Sequence, residues 1–267
     1  MQGLSKKEAL ADLRARIETL ERRRPQDSVP PDVRSGGLAA PAGVLHEVFG
    51  DDQRVAAAAL GFALGQARQL LGGPRRAVLV VQFGHEAQAL GVPYGSGLAH
   101  FGLDPASLVL VRAETPVELL WAMEEAIGCR AVAAVIADLA MPMRSLDFTA
   151  SRRLSLRAAE SGSSAFILRY TREREASAAR LRWHVRPAPS PPPAFDAQAP
   201  GQTRWRIALE KGRLGSRRDP VEWLVDWTSD GFLALDKAGG TAGPAADRPA
   251  FHGAASAALG NRLSEAG

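Results

Sequence analysis

The chain has a single cysteine, Cys129, in 267 residues. That excludes an intramolecular disulfide and a multi-cysteine zinc site, and it makes a reducing cytoplasm the expected compartment. The five histidines show no metal-ligand spacing. His85-Glu86, for example, lacks the second histidine of a zinc-binding helix. No apolar stretch reaches the ~18 residues of a membrane span, so no membrane role is expected. The opening MQGLSKKE has no apolar core behind its lysines, so a secretory signal is not expected either. Aromatic residues are few, at 6%, and the formal net charge is only +4.

What is present is ordinary in amount but uneven in distribution. Hydrophobic residues make up 46% and charged residues 23%, as in a globular protein. A chain of this length can bury roughly 70–75% of the surface it exposes when unfolded. The basic residues cluster: from Arg169 to Arg218 there are twelve Lys and Arg against four Asp and Glu. Arginine dominates, and its planar fork suits phosphate. Weak, sequence-independent DNA binding is therefore expected through Arg180, Arg182, Arg204 and Arg206, helped by Arg172 and Arg174. The competing reading is a solvated sheet edge protected by charge.

The pattern divides the chain into four parts. Residues 1–24 predict an amphipathic helix with a narrow stripe of Leu10, Leu13, Ile17 and Leu20. Such a helix is marginal alone, so the stripe is a candidate partner-binding surface. Residues 25–37 (PQDSVPPDVRSGG) read as a linker. Residues 38–228 alternate strand and helix: strands over 44–49, 77–83, 107–113, 131–137 and 164–170, with helices over 55–71, 115–128 and 150–160. That order predicts a mainly parallel α/β sheet. The apolar runs at 77–83, 107–113 and 131–137 read as strands buried on both faces. Three further strands, over 181–186, 204–209 and 221–227, have no helices between them and predict antiparallel pairing. They carry Trp183, Trp205, Trp223 and Trp227, and a Pro-rich insert separates the first two strands. Residues 229–267 are Ala- and Gly-rich and read as a low-complexity, disordered tail. Cys129 reads as a buried small residue.

A strand, a helix and then a strand ending in Asp138 invites comparison with a phosphate-binding loop. That motif requires G-x-x-x-x-G-K-[ST] between the strand and the helix. Here the segment runs Gly50-Asp-Asp-Gln-Arg-Val55-Ala56-Ala57. Val55 replaces the second glycine, Ala56 the lysine and Ala57 the hydroxyl that holds magnesium. Asp51 and Asp52 add negative charge where a triphosphate would lie. ATP binding and hydrolysis are not expected, and neither is any cofactor. Without the lysine and hydroxyl, Asp138 reads as a relic or a helix-capping group rather than a magnesium ligand.

Several segments together resemble the ImuA family of RecA-like inducible-mutagenesis proteins. They are Leu38–Gly50, Phe101–Asp104, the Asp138 strand, Arg152–Ala159, Phe166–Tyr170, Ala179–Val185 and Arg204–Val225. The resemblance implies a RecA-like core, a mainly parallel sheet extended by antiparallel strands. It also implies a non-catalytic accessory role in damage-induced translesion synthesis. The implied partners are an ImuB-like protein, an error-prone C-family polymerase and RecA itself. The segments where RecA carries DNA-binding loops have only short, arginine-bearing counterparts here, Met141–Ala150 and Thr171–Ala179. Two alternatives stand beside this reading: a SulA-like division inhibitor, and an ATPase with an unorthodox phosphate site.

Overall fold

The computed structural model describes residues 38–214 and 222–235. The Leu10–Leu20 stripe, the 25–37 linker and residues 236–267 lie outside the described residues.

Strand β1 (Leu45–Gly50) is followed by a 3-10 turn (Gln53–Val55) and helix α1 (Ala56–Leu70). Next come β2 (Ala77–Phe83), two short helices α2 (Ala87–Leu90) and α3 (Gly95–His100), and β3 (Leu108–Ala113). Helix α4 (Pro116–Gly128), β4 (Val132–Leu139), α5 (Phe148–Ser161) and β5 (Ser164–Tyr170) complete the alternation. Four strands then follow: β6 (Leu181–Pro187), β7 (Arg204–Lys211), β8 (Glu222–Thr228) and β9 (Gly231–Leu235). All nine form one sheet in the order β3-β2-β4-β5-β1-β6-β7-β8-β9. The strands from β3 to β6 in that order pair parallel, and β6 to β9 pair antiparallel. The expected fold class, a mainly parallel core with an antiparallel extension, is the one observed.

Local chemistry sets the helix ends. The Thr115 hydroxyl accepts from Glu118 N–H with Pro116 at the first helical position. The Asp147 carboxylate accepts from Ala150 N–H at the start of α5, and Gly162 closes that helix at φ 75°. Alternation along the strands gives the sheet two cores. On the α1 side, Phe62, Phe101, Trp183, Trp205, Trp227 and Phe232 build an aromatic core. On the α4 and α5 side the core is aliphatic, with Leu45, Val81, Leu119, Met123, Ile127 and Leu154.

Four sequence expectations require correction. The 107–113 run is not buried on both faces: β3 is a sheet edge, with Val109 and Leu110 exposed. Regular structure does not stop at 228, because a turn at Ser229-Asp230 returns the chain into β9, whose Phe232 is buried. Cys129 is exposed, just past the end of α4. Asp138 caps no helix among the described residues, since Asp147 takes that role for α5.

Candidate functional site

The carboxyl ends of the parallel strands are where α/β sheets place ligands. The loop from Gly50 to Ala57 lies there, after the central strand β1. Its backbone forms a tight 3-10 turn, with Asp52 accepting from Arg54 N–H at 2.8 Å. No residue in it has positive φ. A Cβ added at Gly50 would stand 2.3 Å from Val55 Cγ2. The Val55 side chain therefore folds back onto Gly50 and packs directly against it. Asp51 turns away and accepts from His184 Nε2 at 3.0 Å, with Arg172 Nε at 3.7 Å. A phosphate would meet a valine methyl group, with no lysine or hydroxyl at Ala56 and Ala57.

Asp138 is buried at the end of β4. Its carboxylate accepts from Gln82 Nε2 at 3.0 Å and from the Tyr170 hydroxyl. Burial holds the Asp138 carboxyl above the usual carboxylate range, against the opposing pull of the Tyr170 and Gln82 hydrogen bonds. Burial also pushes the Tyr170 phenol far above its ordinary value. Glu86, close in sequence to Gln82, points inward and accepts from Ala140 N–H at 2.8 Å and Met141 N–H at 3.1 Å. Both carboxylates are thus occupied by donors of the chain itself. They tie together the ends of β2, β4 and β5.

The basic residues divide into those held by internal pairs and those open to water. Arg182 lies 2.8 Å from Glu47, which is 1% exposed, and also donates to Ser177 Oγ and the Glu175 carbonyl. Arg169 is buried against the same Glu47 and against Glu175. Arg174 bridges to Glu210 at 2.7 Å and sits 4.0 Å over the Phe49 ring. Arg204 makes a bidentate pair with Asp226, and both side chains are largely buried. Arg180 donates its backbone N–H to the Leu45 carbonyl. Arg206 shares Glu222 with Arg186 and is 54% exposed. Arg172 is 81% exposed. The alternation along β6, β7 and β8 sets Arg182, Arg204 and Arg206 on the sheet face opposite the tryptophans, as the sequence implies. The same alternation places Glu210, Glu222 and Asp226 among them. These interleaved acids are what the charge count along the sequence missed. The strand register could have signalled one of them, since Arg204 pairs directly opposite Asp226. Trp183 is fully buried and meets Phe62 edge-on within the aromatic core, so it is not available to a base.

No protein-family model matches the chain. The Protein ImuA of Caulobacter vibrioides strain NA1000 / CB15N is 33% identical over 202 residues, covering 71% of this chain and 76% of that protein. The Protein ImuA of Caulobacter vibrioides strain ATCC 19089 / CIP 103742 / CB 15 matches with the same figures. Among solved structures, a RadB recombinase aligns with a TM-score of 0.46 and 14% identity, covering 73% of this chain and 92% of that one.

Proposed function

The chain belongs to the ImuA family, and from that premise we propose that it is a non-catalytic accessory protein of damage-induced, error-prone translesion synthesis. Its partners in this reading are an ImuB-like protein and an error-prone C-family polymerase. The observation that carries the non-catalytic part is the seating of Val55 against Gly50. It replaces the phosphate cradle with a side chain, in a loop that also lacks the lysine and the hydroxyl. The buried Asp138, already hydrogen-bonded to Tyr170 and Gln82, supports the same conclusion. The Leu10, Leu13, Ile17 and Leu20 stripe is the proposed contact with RecA or a second copy. DNA contact, if it adds to the complex, falls to the exposed Arg172 and Arg206.

Two measurements test this reading. Purified protein with millimolar magnesium-ATP is expected to show no rise in melting temperature and no hydrolysis. A ligand at a hundred times its dissociation constant would stabilise by about 2.7 kcal/mol, so real binding would be visible. The protein is also expected to co-purify with the ImuB-like protein of its own bacterium. A reproducible ATP-dependent shift would overturn the non-catalytic reading, and failure to bind the ImuB-like protein would overturn the accessory one.

A further inference from the structure

Helices α4 and α5 lie side by side over one face of the sheet, and each has an exposed outer ridge. On α4 the ridge is Val117, Trp121 and Glu125; on α5 it is Phe148, Arg152 and Leu156, at the four-residue spacing of one helix face. Val117 is 75% exposed, Trp121 65%, Phe148 50% and Leu156 60%. Large apolar side chains this open, grouped on two adjacent helices, mark a contact surface. Charge on the two helices is segregated. Helix α4 carries Glu118, Glu124 and Glu125 and no basic residue, whereas α5 carries Arg152, Arg153 and Arg157 against Glu160 alone. Arg152 makes no ion pair among the described residues.

We propose that this face docks on the same face of a second copy of the chain. Both helices connect parallel strands of one sheet, so they run in the same direction. A two-fold axis in the contact plane and parallel to the helices sets α4 over α5 of the second copy. An axis perpendicular to them sets α4 over α4, acid upon acid. Charge selects the first arrangement.

Bridges within the chain set the relative heights of the two helices to within a turn. Arg153 reaches Glu124 at 2.9 Å and Arg157 reaches Glu125 at 3.7 Å. The two bridges bracket the register: the first sets Trp121 opposite Ala150 and the second opposite Arg153, so Arg152 lies at the level of Trp121 and, one turn back, Phe148 at the level of Val117. The two-fold operation keeps these levels. It places Trp121 against Arg152 of the second copy and Val117 against Phe148 of the second copy, each contact made twice. A guanidinium over an indole face is a favourable cation–π pair. The helices have 13 and 14 residues, so the face is ~20 Å long and about as wide. With both copies counted that buries about 800 Å², the size of a weak or transient interface, so a weak, concentration-dependent dimer is expected.

Sedimentation velocity of the full chain over a micromolar concentration series tests this. The wild type is expected to show a monomer–dimer equilibrium. Trp121→Arg sets two cations face to face and is expected to weaken it by at least about tenfold. Trp121→Arg combined with Arg152→Trp restores the pair with its members exchanged and is expected to recover most of the affinity. Both positions are exposed, so unchanged melting temperatures confirm that the variants fold. A wild type that stays monomeric overturns the proposal, as does a Trp121→Arg variant that dimerises equally well. Dimerisation that survives Trp121→Arg but is lost in Leu13→Asp with Ile17→Asp also overturns it, because it assigns the contact to the N-terminal stripe.

Discussion

His46 on the central strand is fully buried, stacked on Phe166 with ring centroids 4.3 Å apart. Its Nδ1 accepts from Trp183 Nε1 at 3.2 Å, so the ring is held neutral and its Nε2–H is left without a partner. Burial pushes its pKa down to about 3. Between that value and the ordinary ~6.5, the unfolded chain binds a proton that the native chain refuses, so stability falls as pH falls through this window. From pH 7 to pH 5 this one group is expected to cost about 2 kcal/mol. Urea unfolding at both pH values should show that loss in the wild type and a smaller one in His46→Gln, which keeps an acceptor for Trp183. Equal losses would mean that the ring is not shielded from protons. At this scale the sequence was only partly informative. The absent lysine and hydroxyl at Ala56 and Ala57 are local facts, readable in order. The partner of Arg182 is Glu47, far away in the chain, and nothing near Arg182 announces it.

The elements were largely legible because their signals are local. The Thr115-Pro116 start, the Gly72-Gly73-Pro74 stop and the apolar runs at 77–83 and 131–137 all stand in the sequence. What a run of valines does not state is its position in the sheet. β3 and β2 read alike, yet β3 is the edge and β2 lies inside. β9 was missed because five residues between polar and Ala/Gly-rich segments carry little pattern. Helix α1 shows a further constraint that composition hides. Gly61 and Gly65 lie one turn apart on its buried face, where a Cβ at Gly65 would stand 2.7 Å from Phe232 Cζ and 2.8 Å from Trp227 Cζ3. Alanine at a helix interior normally gains up to about 1 kcal/mol over glycine. Here overpacking against two rings of the aromatic core is expected to outweigh that gain, at about 1–3 kcal/mol. Gly65→Ala should therefore lower the denaturant midpoint. A rise would mean that β9 and its Phe232 can shift away at little cost.

At the scale of the whole molecule, the two sheet faces of the antiparallel extension have separate tasks. One carries the tryptophans into the core under α1, and the other is charged and open. The basic surplus read from the sequence is real, but interleaved carboxylates neutralise much of it on folding. A face on which Arg174, Arg182 and Arg204 already hold Glu210, Glu47 and Asp226 keeps few charges for phosphates. Each phosphate of a duplex that is neutralised contributes about −0.9 to the slope of log K against log salt, so contact through Arg172 and Arg206 gives a slope no steeper than about −2. Arg172→Ala with Arg206→Ala should flatten that slope by about two contacts and leave the melting temperature nearly unchanged, since both side chains are solvent-exposed. Arg204→Ala should do the opposite. It leaves Asp226 partly buried without its partner and is expected to cost about 3 kcal/mol of stability with little effect on the slope. Fluorescence anisotropy of a labelled DNA duplex across a salt series, paired with melts of the same variants, separates the two. A steep slope that collapses with Arg204→Ala would mean that the internal pairs open on DNA, and that the charged face is a binding surface after all.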